Sequence, residues 1–308
     1  MEQVEGLYER LQHLEKFAEP IMIPEGDGFD RDGVLNPSVV KEGDTFYMLY
    51  RAYDDRTPYT AQLGLATSTD GVHFTKEPEP VMRPDQPYEF QGVEDPRIAK
   101  IDDTYVLAYV GINPTYGTSH ICLATSTDLR SWEKLGPVLT EGVEDWDAGN
   151  KKAAVIVPEK VDGRYVMYFL GESEPWHTAI GVAYSDDLVH WEEAPEPVLV
   201  TREGNWDSMG VEPGATPVVT DEGILLVYNG WDADKVHRTG VVMFDRNDPG
   251  RVIRRTDDPI LEPTEPWETG GLVPNVTFSE GLVDDGERVY VYYGAADTCI
   301  GLAVAEKD

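Results

Sequence analysis

The chain is 308 residues long, and its 41% apolar and 10% aromatic residues are enough to bury a sizeable core. Its 58 acidic residues outnumber 25 basic ones, and the net charge of −33 argues against nucleic acid or an anionic membrane as a partner. Such a surface is typical of a protein in a high-salt cytoplasm, or of an acidic protein from a moderate-salt cell. With neither a run of 18 apolar residues nor an apolar, cleavable N-terminal segment, we expect a cytoplasmic protein without a membrane span.

The chain begins with a polar stretch, residues 1–16, which predicts a short helix or arm. A pattern then recurs, Leu-Ala-Thr-Ser-Thr-Asp or a close variant, with an aromatic residue four positions after the aspartate. The three clearest copies end at Asp70, Asp128 and Asp187, which are separated by 58 and 59 residues. Two weaker copies follow, at residues 241–245 and 300–305. A spacing of this size is typical of repeated β units.

Two further elements precede each copy and complete a unit of three or four short strands. The first is an apolar run, at residues 37–40, 96–99, 153–156, 215–218 and 275–278. The second is rich in β-branched and aromatic residues, at residues 45–50, 104–109, 164–169, 224–228 and 289–293. Five such units with almost no helical periodicity predict an all-β fold, a five-bladed β-propeller that spans residues 1–308 as one domain. The last unit lacks an outer strand, and we expect residues 19–23 to supply it and close the ring.

The segments that lead into the five innermost strands are polar or charged, and propeller geometry gathers them at one mouth of the central channel. These lead-in segments are residues 35–37, 92–97, 150–152, 210–213 and 273–275. In the second one, Glu94 and Asp95 precede Pro96, which favours an extended conformation for Asp95, and Arg97 follows within reach of either acid. Taken alone, these residues read as an exposed turn with a local ion pair. At the channel mouth they become one wall of a candidate active site.

Four stretches resemble glycoside hydrolase family 130, which contains mannoside phosphorylases and β-mannosidases. They are Glu-Asp-Pro-Arg-Ile at residues 94–98, Phe-Tyr-Met-Leu-Tyr-Arg at 46–51, Pro-Glu-Lys-Val-Asp-Gly-Arg-Tyr-Val-Met at 158–167, and Tyr-Tyr-Gly-Ala-Ala-Asp-Thr at 292–298. The resemblance covers essentially the whole chain, and the five-bladed propeller of that family agrees with the repeats. It implies an oligosaccharide substrate. We expect neither a metal nor another cofactor, and a homo-oligomer is left open.

By this resemblance, Asp95 is the general acid that protonates the glycosidic oxygen, directly or through a sugar hydroxyl. The sugar-binding positions of the family fall on Asn36, Arg51, Asp54, Tyr293 and Asp297. Carboxylates and arginine can hydrogen-bond vicinal hydroxyls, and a tyrosine can stack on a sugar ring, although a tyrosine in a strand is as readily part of the core. Other candidate substrate-binding residues lie in the lead-in segments or at the end of a strand: Glu94, Arg97, Lys151, Lys152, Tyr228, Asn229 and Asn275.

The choice of co-reactant, phosphate or water, depends on the cations of the phosphorylase pattern. Where that pattern has arginine, lysine and histidine, this chain has Phe169, Met209 and Asn229, and only the basic position at Lys151 or Lys152 is kept. Because the lead-in segments are rich in carboxylates, a phosphate dianion there would be repelled. The sequence therefore favours an inverting hydrolase, a β-mannosidase acting on β-1,2- or β-1,4-linked manno-oligosaccharides.

In this hypothesis Asp95 protonates the leaving oxygen and a glutamate activates water on the opposite face of the sugar. Glu212, in the fourth lead-in segment, is the first candidate for this base, and Glu172, near the end of a strand, is the second. One alternative is a phosphate-dependent β-mannoside phosphorylase of the same family, and another is a non-catalytic carbohydrate-binding propeller. The arabinanase and invertase-like five-bladed glycosidases are disfavoured, because they place a catalytic aspartate where this chain has Asn36.

Overall fold

The computed structural model describes residues 6–56, 61–113, 119–139 and 145–307. Helix within these ranges is limited to α1 (Leu7–Arg10), α2 (Pro266–Thr269) and short 3-10 turns at Leu11–His13, Pro87–Glu89 and Asp145–Asp147. None of the described helices is long and apolar enough to cross a membrane. Within the stretch predicted as a short helix or arm, residues 1–16, the structure has α1 and the 3-10 turn at Leu11–His13, and residues 1–5 lie outside the described ranges.

Five antiparallel sheets form a ring, which confirms the predicted five-bladed β-propeller. Blade one, from the axis outward, is β2 (Gly33–Glu42), β3 (Thr45–Tyr53), β4 (Gln62–Ser68) and β5 (Thr75–Lys76). Blade two, in the same order, is β6 (Gly92–Ile101), β7 (Thr104–Ile112), β8 (Ser119–Ser126) and β9 (Glu133–Leu139). Blade three is β10 (Lys151–Ile156), β11 (Tyr165–Glu174), β12 (His177–Ser185) and β13 (Trp191–Glu193). Blade four is β14 (Gly210–Pro213), β15 (Val218–Val219), β16 (Ile224–Trp231), β17 (His237–Phe244) and β18 (Val252–Arg255). Blade five is β19 (Thr277–Asp284), β20 (Arg288–Ala295), β21 (Cys299–Glu306) and β1 (Glu15–Lys16).

The last blade is closed by the N-terminal segment, as the sequence predicted, but the paired residues differ in part from the prediction. Regular pairing occurs at β1, where Glu15 faces Val304 of β21, and from the predicted residues 19–23 only Met22 forms a bridge, to Ile300. Blades one, three and four also have such a two-part outer strand, in which the last regular strand is followed by a single bridge from Met82, Leu199 or Leu261. Proline has no N–H to donate to a sheet, so Pro20 and its counterparts interrupt the ladder.

Apolar side chains fill the spaces between neighbouring blades and hold the ring together. Between blades five and one, Met48 and Tyr50 of β3 pack in one buried cluster with Tyr290 and Tyr292 of β20. Burying a side chain of this size contributes roughly 1.5–3 kcal/mol, so these contacts do more to close the ring than the short pairing of β1. The Tyr292 hydroxyl donates to the carbonyl oxygen of Gly71 at 2.9 Å, which satisfies its polar atom at the same interface.

The repeated aspartate of the sequence forms a turn on the outside of each of the first three blades. In blade two, Asp128 Oδ1 accepts hydrogen bonds from the backbone N–H groups of Arg130 at 2.8 Å and Ser131 at 2.7 Å. Asp70 and Asp187 make the equivalent bonds in blades one and three. An aspartate whose carboxylate accepts hydrogen bonds from the backbone N–H groups that follow it stabilises a turn. The repeated aspartate is therefore structural, and it lies at the outer part of the blade.

Candidate active site

A shared irregularity aims polar side chains at the channel. In blades one, two and three, the register between the first and second strands shifts near the start of the inner strand. Positive φ angles occur at equivalent places, Asn36 (49°), Asp95 (51°), Ala153 (53°) and, in blade five, Asn275 (62°). The expectation that Pro96 holds Asp95 extended is therefore wrong: Asp95 lies in the left-handed region, which aspartate and asparagine tolerate better than most residues. Such bulges redirect a side chain and are frequent beside active sites.

These side chains meet in a pocket of about 550 Å³ at the mouth of the channel. All five blades contribute to its lining, which confirms that the lead-in segments converge. The polar residues are Asn36, Arg51, Glu94, Asp95, Ser119, Asn150, Lys152, Glu172, Thr178, Glu212, His237 and Asp297. Among the described residues, no group of three or more His, Cys, Asp or Glu side chains is placed to hold a metal ion. Carboxylates, cations and aromatic rings line the pocket.

An ion pair between Arg51 and Asp95 marks the inner part of the pocket. Arg51 Nη1 lies 3.3 Å from Asp95 Oδ1, and Nη2 lies 3.0 Å from Glu94 Oε1. Burial raises the pKa of the Asp95 carboxyl, but attraction to Arg51, Lys152 and Arg97 outweighs burial and leaves the pKa below its usual value. Asp95 is thus a carboxylate at neutral pH in this arrangement, and it needs a proton before it can act as an acid.

Beneath the pocket, the buried guanidinium of Arg97 joins three blades. Its Nη1 donates to the carbonyl oxygen of Asp95 at 2.9 Å, and its Nε donates to that of Gly214 at 3.1 Å. Its Nη2 lies 2.5 Å from Glu280 Oε1 and 3.8 Å from Glu212 Oε1. Arg97 therefore fixes the backbone of Asp95 in blade two against blades four and five. Because it is fully buried, Arg97 positions the acid and is not placed to touch a sugar.

Burial removes part of the negative charge that a count of carboxylates suggests. The pKa of Glu280 is raised to about 8, chiefly by burial, although Arg97 lowers it. Burial likewise raises the pKa of Glu212, against the attraction of Lys152, whose Nζ lies 3.5 Å from Glu212 Oε2. Burial also raises the pKa of Asp297, against the attraction of Arg51. Because a raised pKa shifts a carboxyl toward its neutral form, burial weakens the repulsion of an incoming anion relative to what a count of carboxylates implies.

The outer wall of the pocket is aromatic. Trp176, Trp231, His237 and Phe278 line it, and the Trp231 and His237 rings pack with centroids 5.1 Å apart. Burial lowers the pKa of His237 to about 4, so its imidazole is neutral at physiological pH. Its Nδ1 lies 3.0 Å from the carbonyl oxygen of Lys235, an atom that only accepts, so the proton sits on Nδ1. This wall offers flat apolar surface beside the charged floor, as sugar-binding pockets require.

The structure brings eight of the predicted site residues to the pocket: Asn36, Arg51, Glu94, Asp95, Lys152, Glu172, Glu212 and Asp297. Glu172 lines the pocket, but its two oxygens are engaged. Its Oε2 accepts from Asn150 Nδ2 at 2.6 Å, and its Oε1 accepts from the backbone N–H of Trp176 at 3.0 Å. These two hydrogen bonds hold the carboxylate of Glu172 against the neighbouring loops. Because both of its oxygens are occupied, the geometry does not favour Glu172 as a base.

Seven predicted substrate-binding residues do not line the pocket: Asp54, Arg97, Lys151, Tyr228, Asn229, Asn275 and Tyr293. The hydroxyls of Tyr228 and Tyr293 point to the far side of their strands and donate to Asp207 at 2.9 Å and Glu268 at 2.8 Å. For these two tyrosines, core packing is the correct reading.

The polar members of that group are held by other protein atoms. Lys151 is buried between Asp147 at 3.0 Å and Glu193 at 2.5 Å. Asp54 pairs with Arg56 at 2.7 Å. Asn229 accepts from Thr239 Oγ1 at 3.0 Å and donates to the Ser279 carbonyl oxygen at 3.1 Å, inside the blade. Asn275 has a positive φ just before β19 and does not line the pocket. We therefore correct all seven predictions: contact with substrate is not supported for these residues.

Among the residues that the sequence did not indicate are Trp176, Trp231 and His237, which line the pocket, and Glu280, which lies beneath it. Glu280 lies in β19, and nothing in the sequence of that strand indicates that its carboxylate pairs with a buried arginine of another blade. The aromatic residues lie at the ends of the second and third strands of blades three and four, and only the equivalence of strand ends across blades could have indicated them.

Comparisons with known proteins agree with the fold and identify relatives. The family model of glycoside hydrolase family 130, described as β-1,4-mannooligosaccharide phosphorylase, matches residues 33–308. A 1,2-β-oligomannan phosphorylase from Thermoanaerobacter sp. (strain X514) is 38% identical over 294 residues, which cover 93% of this chain and 95% of the relative.

Two solved structures are similar over nearly their whole length. The β-1,2-mannobiose phosphorylase from Listeria innocua, in complex with β-1,2-mannobiose, has a TM-score of 0.84 at 25% identity and covers 95% of this chain and 96% of its own. The second, with a TM-score of 0.84 at 29% identity, covers 100% of this chain and 97% of its own. It is described with the statement that this family of mannoside phosphorylases contains glycoside hydrolases that target β-1,2 mannosidic linkages in Candida mannan.

The prediction of a hydrolase is wrong, because the 38% identical relative and the solved Listeria protein are phosphorylases. Three cations of the phosphorylase pattern are replaced here by Phe169, Met209 and Asn229, but the pocket is not left without positive charge. Lys152, at the basic position that the chain keeps, lines the pocket together with Arg51, and burial raises the pKa of the Glu212 and Asp297 carboxyls there. With the match to residues 33–308, the relatives show that this chain belongs to glycoside hydrolase family 130.

Proposed function

We propose that the chain is a phosphorylase of β-1,2-linked manno-oligosaccharides, which uses inorganic phosphate to release mannose 1-phosphate. The observation that carries this proposal is the placement of one carboxylate, Asp95, in a pocket that also contains the cations Arg51 and Lys152. A phosphorylase needs both a proton donor for the leaving oxygen and positive charge for the phosphate. The β-1,2 linkage follows the names of the relatives, which act on 1,2-β-oligomannan and β-1,2-mannobiose.

In the proposed reaction, Asp95 supplies a proton to the glycosidic oxygen as the bond from that oxygen to the anomeric carbon breaks. A phosphate oxygen attacks the same carbon from the opposite face, so the β-mannoside gives α-mannose 1-phosphate and a shortened saccharide. Phosphate is already a nucleophile and needs no base to activate it. Glu212 is then free of the role of base, and its contact with Lys152 at 3.5 Å instead holds that ammonium at the pocket.

Phosphate binding and proton donation support each other in this arrangement. Arg51 and Lys152 lower the pKa of Asp95, so without a counter-charge the acid gives up its proton. A phosphate dianion beside the same two cations offsets their field, which raises the pKa of Asp95 toward the range of a useful acid. Glu280, with a pKa raised to about 8, is mostly neutral at pH 7 and adds little repulsion to this exchange.

The test is incubation of the protein with β-1,2-mannobiose, with and without phosphate, followed by phosphorus NMR and sugar analysis. We expect α-mannose 1-phosphate to form only when phosphate is present, and β-1,4-mannobiose to react more slowly. Release of free mannose at the same rate without phosphate would contradict the proposal. Saturable sugar binding without turnover in either condition would contradict it as well, and would favour a carbohydrate-binding propeller.

A further inference from the structure

Trp176 lies at the lip of the pocket in an unusual state for a large apolar side chain. It follows the end of β11, in the hairpin to β12, with φ at 74°, a left-handed value that is rare for a bulky residue. The residue is 45% exposed, whereas Asp95 deeper in the same pocket is 8% exposed. Most tryptophans bury more of their surface, and a strained, exposed one needs an explanation.

The surrounding residues hold Trp176 in this position. Its backbone N–H donates to Glu172 Oε1 at 3.0 Å, and its carbonyl oxygen accepts from Trp231 Nε1 at 3.3 Å. The Trp231 ring meets it edge-to-face, with centroids 6.3 Å apart and planes at 88°. The ammonium of Lys235 lies 3.9 Å from its ring centroid. Backbone, ring edge and ring face are thus each fixed by a different residue, although the residue remains half open to solvent.

The fold itself does not use this ring. Trp176 is outside the six buried hydrophobic clusters of the described chain, while its neighbour Trp231 belongs to one of them, with Leu170. The exposed ring lines the same pocket as the acid Asp95. A rigid aromatic ring at the lip of a polar pocket is suited to stack on the apolar C–H face of a pyranose ring.

We infer that Trp176 is a stacking platform for an outer mannosyl residue of the oligosaccharide, on the part of the substrate that extends out of the pocket. The inference rests on the proposed substrate class, a manno-oligosaccharide, but not on phosphate as co-reactant. Because Trp176 is exposed at the lip and Asp95 is buried, the mannosyl unit that stacks on Trp176 is not the unit held at the acid. Only a saccharide with a further unit, outside the one held at the acid, contacts both residues. Trp176 therefore sets the preference for longer substrates, and Glu172 acts on it as a positioning residue.

The first test compares Trp176→Ala with the unmodified protein on β-1,2-linked mannobiose, mannotriose and mannotetraose. We expect KM for the longest saccharide to rise about tenfold, the size of one lost aromatic contact, with kcat unchanged and with a smaller effect on mannobiose. Trp176→Phe should keep most of the preference, and Trp176→Leu, which keeps apolar bulk without a flat ring, should lose it. Phe17→Ala, at another partly exposed aromatic residue outside the pocket, is the control and should leave KM unchanged.

The second test measures binding without turnover. Mannotetraose is titrated without phosphate, and tryptophan fluorescence is compared between the unmodified protein and Trp176→Phe, which should lose most of the response. Equal KM values in Trp176→Ala and the unmodified protein, together with an unchanged fluorescence response, would overturn the inference. A change from oligomer to monomer in Trp176→Ala, seen by light scattering, would also overturn it, because a second copy of the chain would then cover this ring. If the protein binds mannotetraose in this way but forms no mannose 1-phosphate, the proposed reaction fails while the platform stands.

Discussion

One aspartate, Asp95, lies at an inner bulge, and Asp70, Asp128 and Asp187 lie at the outer turns; the pKa is lowered at both kinds of position, for different reasons. At Asp95, burial raises the pKa and the cations Arg51, Lys152 and Arg97 lower it further than burial raises it. At Asp187, the pKa is lowered mainly by hydrogen bonds from the backbone and side chain of His190, in an exposed turn. A lowered pKa is therefore no sign of function by itself. What distinguishes Asp95 is that two of the cations that balance its charge, Arg51 and Lys152, line the pocket where a substrate can also contact them.

Replacing one aspartate of each kind by asparagine gives the largest expected difference. Asp95→Asn removes the proposed proton donor, so kcat/KM for phosphorolysis should fall by about 10²–10⁴. Asp187→Asn makes the same chemical change at an outer turn and should leave kcat/KM unchanged. Thermal unfolding of both variants checks that the propeller is intact. Activity of Asp95→Asn above one tenth of that of the unmodified protein would remove Asp95 from the role of acid.

The role of the cations is tested by a change at Lys152. Lys152→Met removes an ammonium from the pocket, and KM for phosphate should rise by about 10–100-fold, as for loss of a hydrogen bond to a charged group. KM for the saccharide should change much less. Lys160→Met, at an exposed lysine of the same blade, is the matched control and should alter neither value. If Lys152→Met weakens saccharide binding and leaves phosphate binding intact, the phosphate site lies elsewhere.

Glu280 distinguishes the inner region from the outer turns by the pH dependence of stability. Its pKa is about 8 in the fold, above the ordinary glutamate value of 4.5, so the folded chain binds this proton more tightly than the unfolded chain. The contribution of the protonated Glu280 carboxyl to the free energy of unfolding is present below about pH 4.5 and is lost as the pH rises to about 8. Glu280→Gln should make the free energy of unfolding less dependent on pH across this range, measured by urea unfolding at several pH values. Glu133→Gln, at an exposed position, should keep the original dependence.

The sequence predicts the parts of this molecule that repeat, and it predicts poorly the contacts that join different blades. The strand pattern indicates five blades, and their lead-in segments indicate the pocket with Asn36, Asp95 and Glu212. The pairing of Arg97 with Glu280 links residues from two blades, so no local pattern reports it. Tyr228 and Tyr293 follow the strand pattern, but which face each one occupies depends on the neighbouring blade. The role of Trp176 could not be predicted from the sequence, because a residue in a loop between two strands shows no pattern that indicates whether its ring faces the channel mouth.

The smallest expected effect is at the outer turns. Asp128→Ala removes a carboxylate that accepts two backbone hydrogen bonds, so stability should fall by about 1 kcal/mol, as for loss of a capping side chain, with activity unchanged. The pKa of Asp128 is lowered to about 2 from 3.8, chiefly by these backbone bonds. Its contribution is therefore complete above about pH 3.8 and is lost as the pH falls to about 2. The free energies of unfolding of Asp128→Ala and of the unmodified protein, measured at neutral and acidic pH, should converge as the pH falls. A loss of phosphorolysis in Asp128→Ala at unchanged stability would show that the outer turns act on the site, and would break the distinction between the two kinds of aspartate.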